Sequence, residues 1–250
     1  MIRTIFRIIK VICWMLIRGK WLRLAKKYDR QGNIEARDKI VHEKVPLWAR
    51  YVVQQCPAEV EVIGEEKIPQ DRAVVFIANH QSNMDIPVLL GYIDKLMCFV
   101  AKAELSKIPL LYDWMKMLQC TFMDRKSPRS AVKAMHDAVD GLKKGYSQMI
   151  FPEGTRSRGG EHHEFKAGSF KLAFMAEATI VPVTIDGTWR LLEEKGVMSK
   201  GKVTVTIHDP IVTAGMSKDE MKELPPKIEQ ICCAALPPPR ELPAKKRGLF

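Results

Sequence analysis

No uncharged stretch near the amino terminus of this 250-residue sequence is long enough to cross a bilayer. The longest such run within residues 1–21 is 11–17, whereas a spanning helix needs about 20 apolar residues. A signal peptide is not expected either, because charged residues continue past this run and no small-residue cleavage site follows them. Neither a transmembrane span nor a signal peptide is therefore expected at the amino terminus.

Cysteine pairs with a recognisable spacing are also missing. The six cysteines contain no C-x-x-C and no metal-ligand spacing, which predicts reduced thiols in a cytosolic setting. The stretch Glu-His-His-Glu at 161–164 follows two glycines and is interpreted as a solvated loop. We therefore expect no metal site.

Acidic residues are absent from residues 1–27, which hold eight of the lysines and arginines. Residues 240–250 add a net charge of +3, so the total of +11 leaves the body, 28–239, neutral. A nucleic-acid-binding domain would carry its positive charge on the folded body. The charge distribution therefore argues against nucleic acid as a partner.

Residues 1–21 have the pattern of a helix that lies in a membrane interface. Basic residues and Trp14 recur at helical spacing along a narrow stripe, and large apolar residues cover the remaining surface. A wide apolar face rimmed by lysine, arginine and tryptophan suits an anionic membrane surface. We expect residues 1–55 to be an amphipathic helical segment that holds the protein, peripheral or monotopic, on the cytoplasmic side of the cell membrane. The alternative is a core helix of the same domain.

Apolar strands alternate with amphipathic helices over residues 56–235, which predicts an α/β domain with a mostly parallel sheet flanked by helices. Prolines predict helix breaks at Pro46 and at Pro225–Pro226. Residues 236–250 are expected to be a disordered basic tail. The expected strands lie at 60–64, 73–78, 96–101, 120–123, 148–151, 179–185 and 202–207, and the expected helices at 29–55, 85–93, 108–117, 130–144, 169–176 and 218–235.

Polar residues follow four of these strands. His80 and Asp85 come after the strand at 73–78, and Lys102 comes after the strand at 96–101. Arg125 follows the strand at 120–123, and residues 153–156 follow the strand at 148–151. Because the carboxyl ends of the strands form the ligand site of an open α/β sheet, these residues should meet at one edge. An imidazole at this edge suits proton transfer near neutral pH, and a neighbouring carboxylate would fix its tautomer.

The same edge has the composition of a phosphate site. Arg125 and Arg156 offer planar donors that bind phosphate with two hydrogen bonds, and Gly154 lets the backbone approach a ligand closely. Lys166 is close enough in sequence to reach the phosphate. Lys102 is either a second phosphate contact or a solvated lysine at a strand end. This composition suits a phosphorylated substrate beside a hydroxyl that a base deprotonates.

Four blocks of sequence occur in a fixed order: N-H-x4-D at 79–85, F-M-D-R at 122–125, F-P-E-G-T-R-S at 151–157 and I-V-P-V at 180–183, with F-K-x-G at 165–168. They resemble the blocks of the glycerolipid acyltransferases, specifically the 1-acylglycerol-3-phosphate acyltransferases. The resemblance covers about residues 60–210, and the third block is its most specific part.

The resemblance implies transfer of a fatty acyl group from an acyl thioester to the free sn-2 hydroxyl of 1-acylglycerol 3-phosphate, which yields phosphatidate. It makes His80 the general base and Asp85 the residue that orients it. It assigns phosphate or glycerol binding to Arg125, Glu153 and Arg156, and the expected substrate-binding set is completed by Gly154, Thr155, Lys166 and Lys102.

The hydroxyl would attack the thioester directly, so no cofactor and no cysteine nucleophile are expected, and Cys98 and Cys120 are interpreted as core residues. Backbone N–H groups near Gly154, or at the helix start after His80, are candidates for stabilising the oxyanion. The acyl donor is either acyl-CoA or acyl-carrier-protein.

Two further functions stay open. The acceptor is either the lysophospholipid named above or a different one, such as glycerol 3-phosphate or another lysolipid. A non-catalytic protein that binds anionic lipid through its basic helix is the alternative from a different class. The complete set of His80, Asp85, Glu153 and Arg156 argues against that alternative.

Overall fold

The computed structural model describes residues 2–124 and 126–241, which form a seven-stranded sheet with helices on both faces. Arg125 and the last nine residues of the expected tail, 242–250, lie outside the described residues. The strands are β1 (Ala58–Ile63), β2 (Val74–Ala78), β3 (Met97–Lys102), β4 (Thr121–Met123), β5 (Ser147–Ile150), β6 (Thr179–Asp186) and β7 (Gly201–Ile207).

The helices connect these strands and precede the first of them. They are α1 (Ile2–Ile17), α2 (Gly19–Arg30), α3 (Ile34–Gln54), α4 (Asp85–Tyr92), α5 (Pro109–Met117), α6 (Pro128–Lys143), α7 (Lys171–Met175), α8 (Thr188–Leu191) and α9 (Lys218–Cys233). The expected α/β class and the expected strands are confirmed, with their ends moved by one or two residues.

The strand order is β1-β7-β6-β2-β5-β3-β4, and every neighbouring pair is parallel except β6 and β7. All five residues of β2 are buried, as in a central parallel strand covered on both faces. Val74 and Phe76 point into one apolar core, and Val75 and Ile77 point into the other. The carboxyl end of β2 therefore delivers residues 79–85 to the middle of the sheet edge.

Two predicted helix breaks are wrong. Helix α3 continues through Pro46, and α9 continues through Pro225–Pro226. A proline removes a hydrogen bond from a helix interior. In both helices, however, apolar residues next to the proline are buried in the core, such as Val45 and Ala49 in α3. Burial of these residues outweighs the lost bond. The predicted helix at 29–55 is instead interrupted at Gln31–Asn33, where Gly32 has a φ of 70°.

The amino-terminal helices are joined to the α/β part by a buried arginine. Arg37 of α3 is 3% exposed, and its guanidinium donates to Asp29 of α2 at 2.8 Å and to the hydroxyl of Tyr146, beside β5, at 2.5 Å. Asp38 lies 2.7 Å from the same guanidinium. Burial raises the pKa of Tyr146 to about 12, so its hydroxyl stays protonated near neutral pH.

Helix α1 differs from the others because none of its residues is buried. It is tied to the rest of the chain near its start, where Arg7 donates to the carbonyl of Met198 at 2.6 Å, and near its end, where Trp14 stacks on Tyr51. Among the described residues, no helix combines the length and the apolar character that crossing a membrane requires. The large exposed apolar residues of α1 are Ile2, Ile5, Phe6, Ile8, Ile9, Ile12, Leu16 and Ile17.

Candidate active site

His80 and Asp85 lie side by side at the edge of the sheet where both were expected. His80 follows β2, Asp85 is the first residue of α4, and the turn between them brings Nδ1 of His80 to 2.6 Å from Oδ2 of Asp85. The imidazole stacks on Phe151 with ring centres 4.1 Å apart and remains 18% exposed. A carboxylate beside Nδ1 favours the tautomer with the proton on that nitrogen. Nε2, on the opposite edge of the ring, is then a proton acceptor.

The carboxylate of Asp85 is fully buried and held by several donors. Its Oδ2 also accepts from the backbone N–H of Gln81 at 2.8 Å and from that of Ser82 at 3.0 Å. Its Oδ1 accepts from the hydroxyl of Thr188, the first residue of α8. Such donors compensate an ionised carboxylate for its loss of water and fix its direction. Thr188 could not be predicted from the sequence, where its only signal is its place just after β6.

Glu153 holds the two loops of the site together. Its carboxylate is 1% exposed, and it accepts from the backbone N–H of His80 at 2.5 Å and from that of His163 at 2.9 Å. Burial raises the pKa of Glu153, while these two donors oppose the rise. Both oxygens face backbone groups, so this geometry favours a role in fixing the loops over the substrate contact expected from the sequence.

A further carboxylate, that of the largely buried Glu193, bridges the same loops. It accepts from Ser82 and Asn83 on one side and from Arg156 on the other. The segment after β6 carried no pattern in the sequence that marked this glutamate. Its contacts arise only when the chain folds, because 111 residues separate it from Ser82.

Several of the backbone donors expected to stabilise an oxyanion, those of residues 80–85 and of Gly154, are already bonded. The N–H groups of residues 80–85 all donate within the site, chiefly to the carboxylates of Glu153, Asp85 and Glu193. The N–H of Gly154 donates to the carbonyl of Phe151 at 3.1 Å. These groups can serve an oxyanion only by giving up the bonds that shape the site.

A cavity of about 1060 Å³ opens beside His80. Its polar part includes six of the residues predicted from the sequence, namely His80, Lys102, Gly154, Thr155, Arg156 and Lys166. Asp85 and Glu153 lie behind this surface, and Arg125 lies outside the described residues. Gly154 has a φ of 69°, and a Cβ there would lie 2.8 Å from Nζ of Lys166, so the absence of a side chain lets the lysine approach the loop.

The apolar part of the cavity is lined from both cores and lies next to the end of the ladder between β3 and β5. The ladder between β3 and β5 ends at Phe99 and Met149, and the following residues of β3 pair only with β4, on the other edge of the strand. Leu118 lines the cavity from one core and Leu172 from the other, so the opening passes from one face of the sheet to the other. Tryptophans 14, 21, 48 and 114 line the same cavity.

The predicted core cysteines are confirmed. Cys98 and Cys120 are buried, and burial raises the pKa of the Cys120 thiol to about 12, which suppresses the nucleophilic thiolate. In the described parts of the chain, no cluster of three or more histidine, cysteine, aspartate or glutamate side chains is arranged to hold a metal ion. His162 instead lies 3.3 Å from Glu229, and His163 contacts Glu153 through its backbone.

The fold and the motif residues define the acyltransferase class, and a family model described as Acyltransferase matches residues 59–186. A chloroplast 1-acyl-sn-glycerol-3-phosphate acyltransferase of Arabidopsis thaliana is 35% identical over 178 residues, 70% of this chain and 49% of that protein. The 1-acyl-sn-glycerol-3-phosphate acyltransferase of Borreliella burgdorferi is 31% identical over 182 residues, 72% of this chain and 70% of that protein.

The crystal structure of the 1-acyl-sn-glycerophosphate (LPA) acyltransferase PlsC from Thermotoga maritima is similar to this chain with a TM-score of 0.71 and 31% identity, covering 90% of this chain and 94% of that one. The chain belongs to the 1-acyl-sn-glycerol-3-phosphate acyltransferase family. The resemblance read from the four blocks is thereby confirmed. The chain spans about half the length of the first curated relatives that it matches.

Proposed function

We propose that this protein transfers a fatty acyl group from an acyl thioester to the sn-2 hydroxyl of 1-acylglycerol 3-phosphate, forming phosphatidate. The observation that carries the proposal is the His80–Asp85 pair, with Nδ1 and Oδ2 2.6 Å apart, at the wall of a cavity lined by cations and by apolar side chains. The names of the relatives agree with this acceptor.

The reaction needs one proton relay. Nε2 of His80 takes the proton of the acceptor hydroxyl as its oxygen attacks the thioester carbonyl. The tetrahedral intermediate then expels the thiolate, which leaves as a thiol with the proton from His80. One acyl–sulfur bond breaks and one acyl–oxygen bond forms, so no acyl-enzyme is required. Asp85 orients the imidazole and stabilises it while it carries the proton.

The substrates fit the two parts of the cavity. Arg156 and Lys166 line its polar part and supply positive charge to the acceptor phosphate, with Lys102 as a further cation. Arg125 remains a predicted phosphate ligand outside the described residues. The apolar walls suit a fatty acyl chain. The donor is acyl-CoA or acyl-carrier-protein.

The test is acyl transfer measured with both donors and an acceptor panel of lysophosphatidate, glycerol 3-phosphate and an uncharged lysolipid. We expect transfer to lysophosphatidate, and we expect His80→Ala to lower kcat by about 10²–10⁴-fold. His42→Ala, an exposed histidine of α3, is the matched control. If only glycerol 3-phosphate were acylated, it would be the acceptor in place of lysophosphatidate. Turnover by His80→Ala near the wild-type rate would refute the mechanism.

We further propose that α1 lies in the cytoplasmic surface of the cell membrane, with its exposed isoleucines among the acyl chains and its basic residues at the anionic headgroups. Replacing Ile5, Ile9 and Ile12 with serine should release the protein from anionic liposomes in a co-sedimentation assay. Val212→Ser, at a residue 57% exposed, is the control. If the triple variant bound liposomes as the wild type does, the membrane anchor would lie elsewhere in the chain. If the wild type bound liposomes but acylated no acceptor, the alternative of a non-catalytic lipid-binding protein would be favoured.

A further inference from the structure

Glu193 connects the loop that carries His80 with the loop that carries Arg156. Its Oε2 accepts from the hydroxyl of Ser82 at 2.5 Å. Its Oε1 accepts from the backbone N–H of Asn83 and from Nη1 of Arg156, each at 3.0 Å. The side chain of Glu193 is only 9% exposed, whereas that of Arg156 is 27% exposed and lines the cavity.

The contacts of Ser82 extend this link to the start of α4. Its hydroxyl donates to Glu193 and accepts from the backbone N–H of Met84 at 2.8 Å, so both of its hydrogen-bonding roles are filled. The turn between His80 and Asp85 is therefore held from outside by a carboxylate that belongs to neither motif. A charge-assisted bond in a buried place has a fixed direction and contributes more than a neutral one.

Within the described part of the chain, Arg156 donates one side-chain hydrogen bond, to Glu193, and its guanidinium carries further N–H groups that can bind a ligand. A guanidinium anchored on one side loses less side-chain entropy when it binds phosphate than one that moves freely. The nearby negative charge of Glu193 works in the opposite sense, because it repels a phosphate. These two effects predict opposite changes when the carboxylate is removed.

We propose that Glu193 is a positioning residue, which aims Arg156 at the acceptor phosphate and holds the turn that brings His80 to Asp85. This inference rests on the proposed acyl transfer. The anchoring effect exceeds the repulsion, because Glu193 contacts Arg156 directly while a phosphate bound on the far side of the guanidinium lies farther away.

The test compares steady-state kinetics with lysophosphatidate for the full chain in lipid vesicles. Glu193→Gln keeps an oxygen for Asn83 and a partner for Ser82 but replaces the charge-assisted bond to Arg156 with a neutral one. We therefore expect kcat to stay within about threefold while KM for the acceptor rises about tenfold. Glu193→Ala should raise KM similarly and also lower kcat by about tenfold or more, because the turn loses its support. Glu194→Gln, at the exposed neighbouring residue, is the control.

A double-mutant cycle separates positioning from general stability. In an Arg156→Ala background, Glu193→Gln should leave KM unchanged, because its effect acts through the guanidinium. A KM that falls or stays constant in the single variant, or that rises equally in both backgrounds, would overturn the proposal. A wild type with no transfer to any acceptor would refute the proposed function instead.

Discussion

Replacing Thr188 with valine removes a single hydroxyl from beneath the His80–Asp85 pair. Valine has nearly the shape of threonine, and both Thr188 and Asp85 are 0% exposed, so water cannot take over the lost hydrogen bond. A hydrogen bond to a charged group contributes about 1.5–3 kcal/mol. At 2–4 °C per kcal/mol for a protein of this size, the melting temperature should fall by about 3–12 °C.

The activity of Thr188→Val should change in one parameter only. Without its donor on Oδ1, the carboxylate of Asp85 is less firmly directed at Nδ1 of His80, and we expect kcat to fall about tenfold, part of what a general base contributes. KM should not change, because Thr188 does not line the cavity. The assay is initial-rate acyl transfer to lysophosphatidate beside calorimetric melting.

The control for this variant is Thr204→Val, which makes the same chemical change at a half-buried residue of β7. If Thr188→Val kept the wild-type kcat and had the same melting temperature as Thr204→Val, the hydroxyl of Thr188 would have no part in holding Asp85. A rise in KM without loss of kcat would contradict the reasoning as well, since it would place Thr188 at the substrate.

Three other substitutions test separate parts of the structure. Gly154→Ala should raise KM for the phosphorylated acceptor, because a side chain at φ 69° costs about 1–2 kcal/mol and its Cβ displaces Lys166; kinetics check this. Burial raises the pKa of Glu153. The stability that this group contributes is therefore fully present below about pH 4.5 and is lost as the pH rises through the folded-state pKa. In Glu153→Gln, the melting temperature should accordingly vary less with pH across that range. Arg37→Met should lower the free energy of unfolding by about 2–3 kcal/mol in urea titrations, less than for a fully buried pair because Asp29 is 36% exposed.

The strands and the motif residues could be predicted from the sequence because their signals are local. The apolar run of β2 and the polar turn after it place His80, and the turn brings Asp85 beside it. The residues that hold this pair were missed because they come from distant parts of the chain. Thr188 is 103 residues from Asp85, and no short pattern records that contact.

The error at Pro46 has a different cause. Local helix propensity predicts a break there, but tertiary packing of α3 decides the outcome. The reassignment of Glu153 to the loops follows from burial and from the direction of two backbone N–H groups, neither of which a sequence motif contains. Motifs in this chain identify which residues matter and leave open what each of them touches.

The gap beyond the end of the β3–β5 ladder offers the proposed acyl substrate a place inside the fold. A fatty chain that fills the gap takes the place that side chains occupy elsewhere between sheet and helices, and each buried methylene contributes about 0.8 kcal/mol. Because only the folded chain offers this gap, binding of a long-chain substrate adds to the free energy of unfolding. Under the proposed acyl transfer, resistance to heat and to proteolysis should therefore vary with the lipids supplied to the protein.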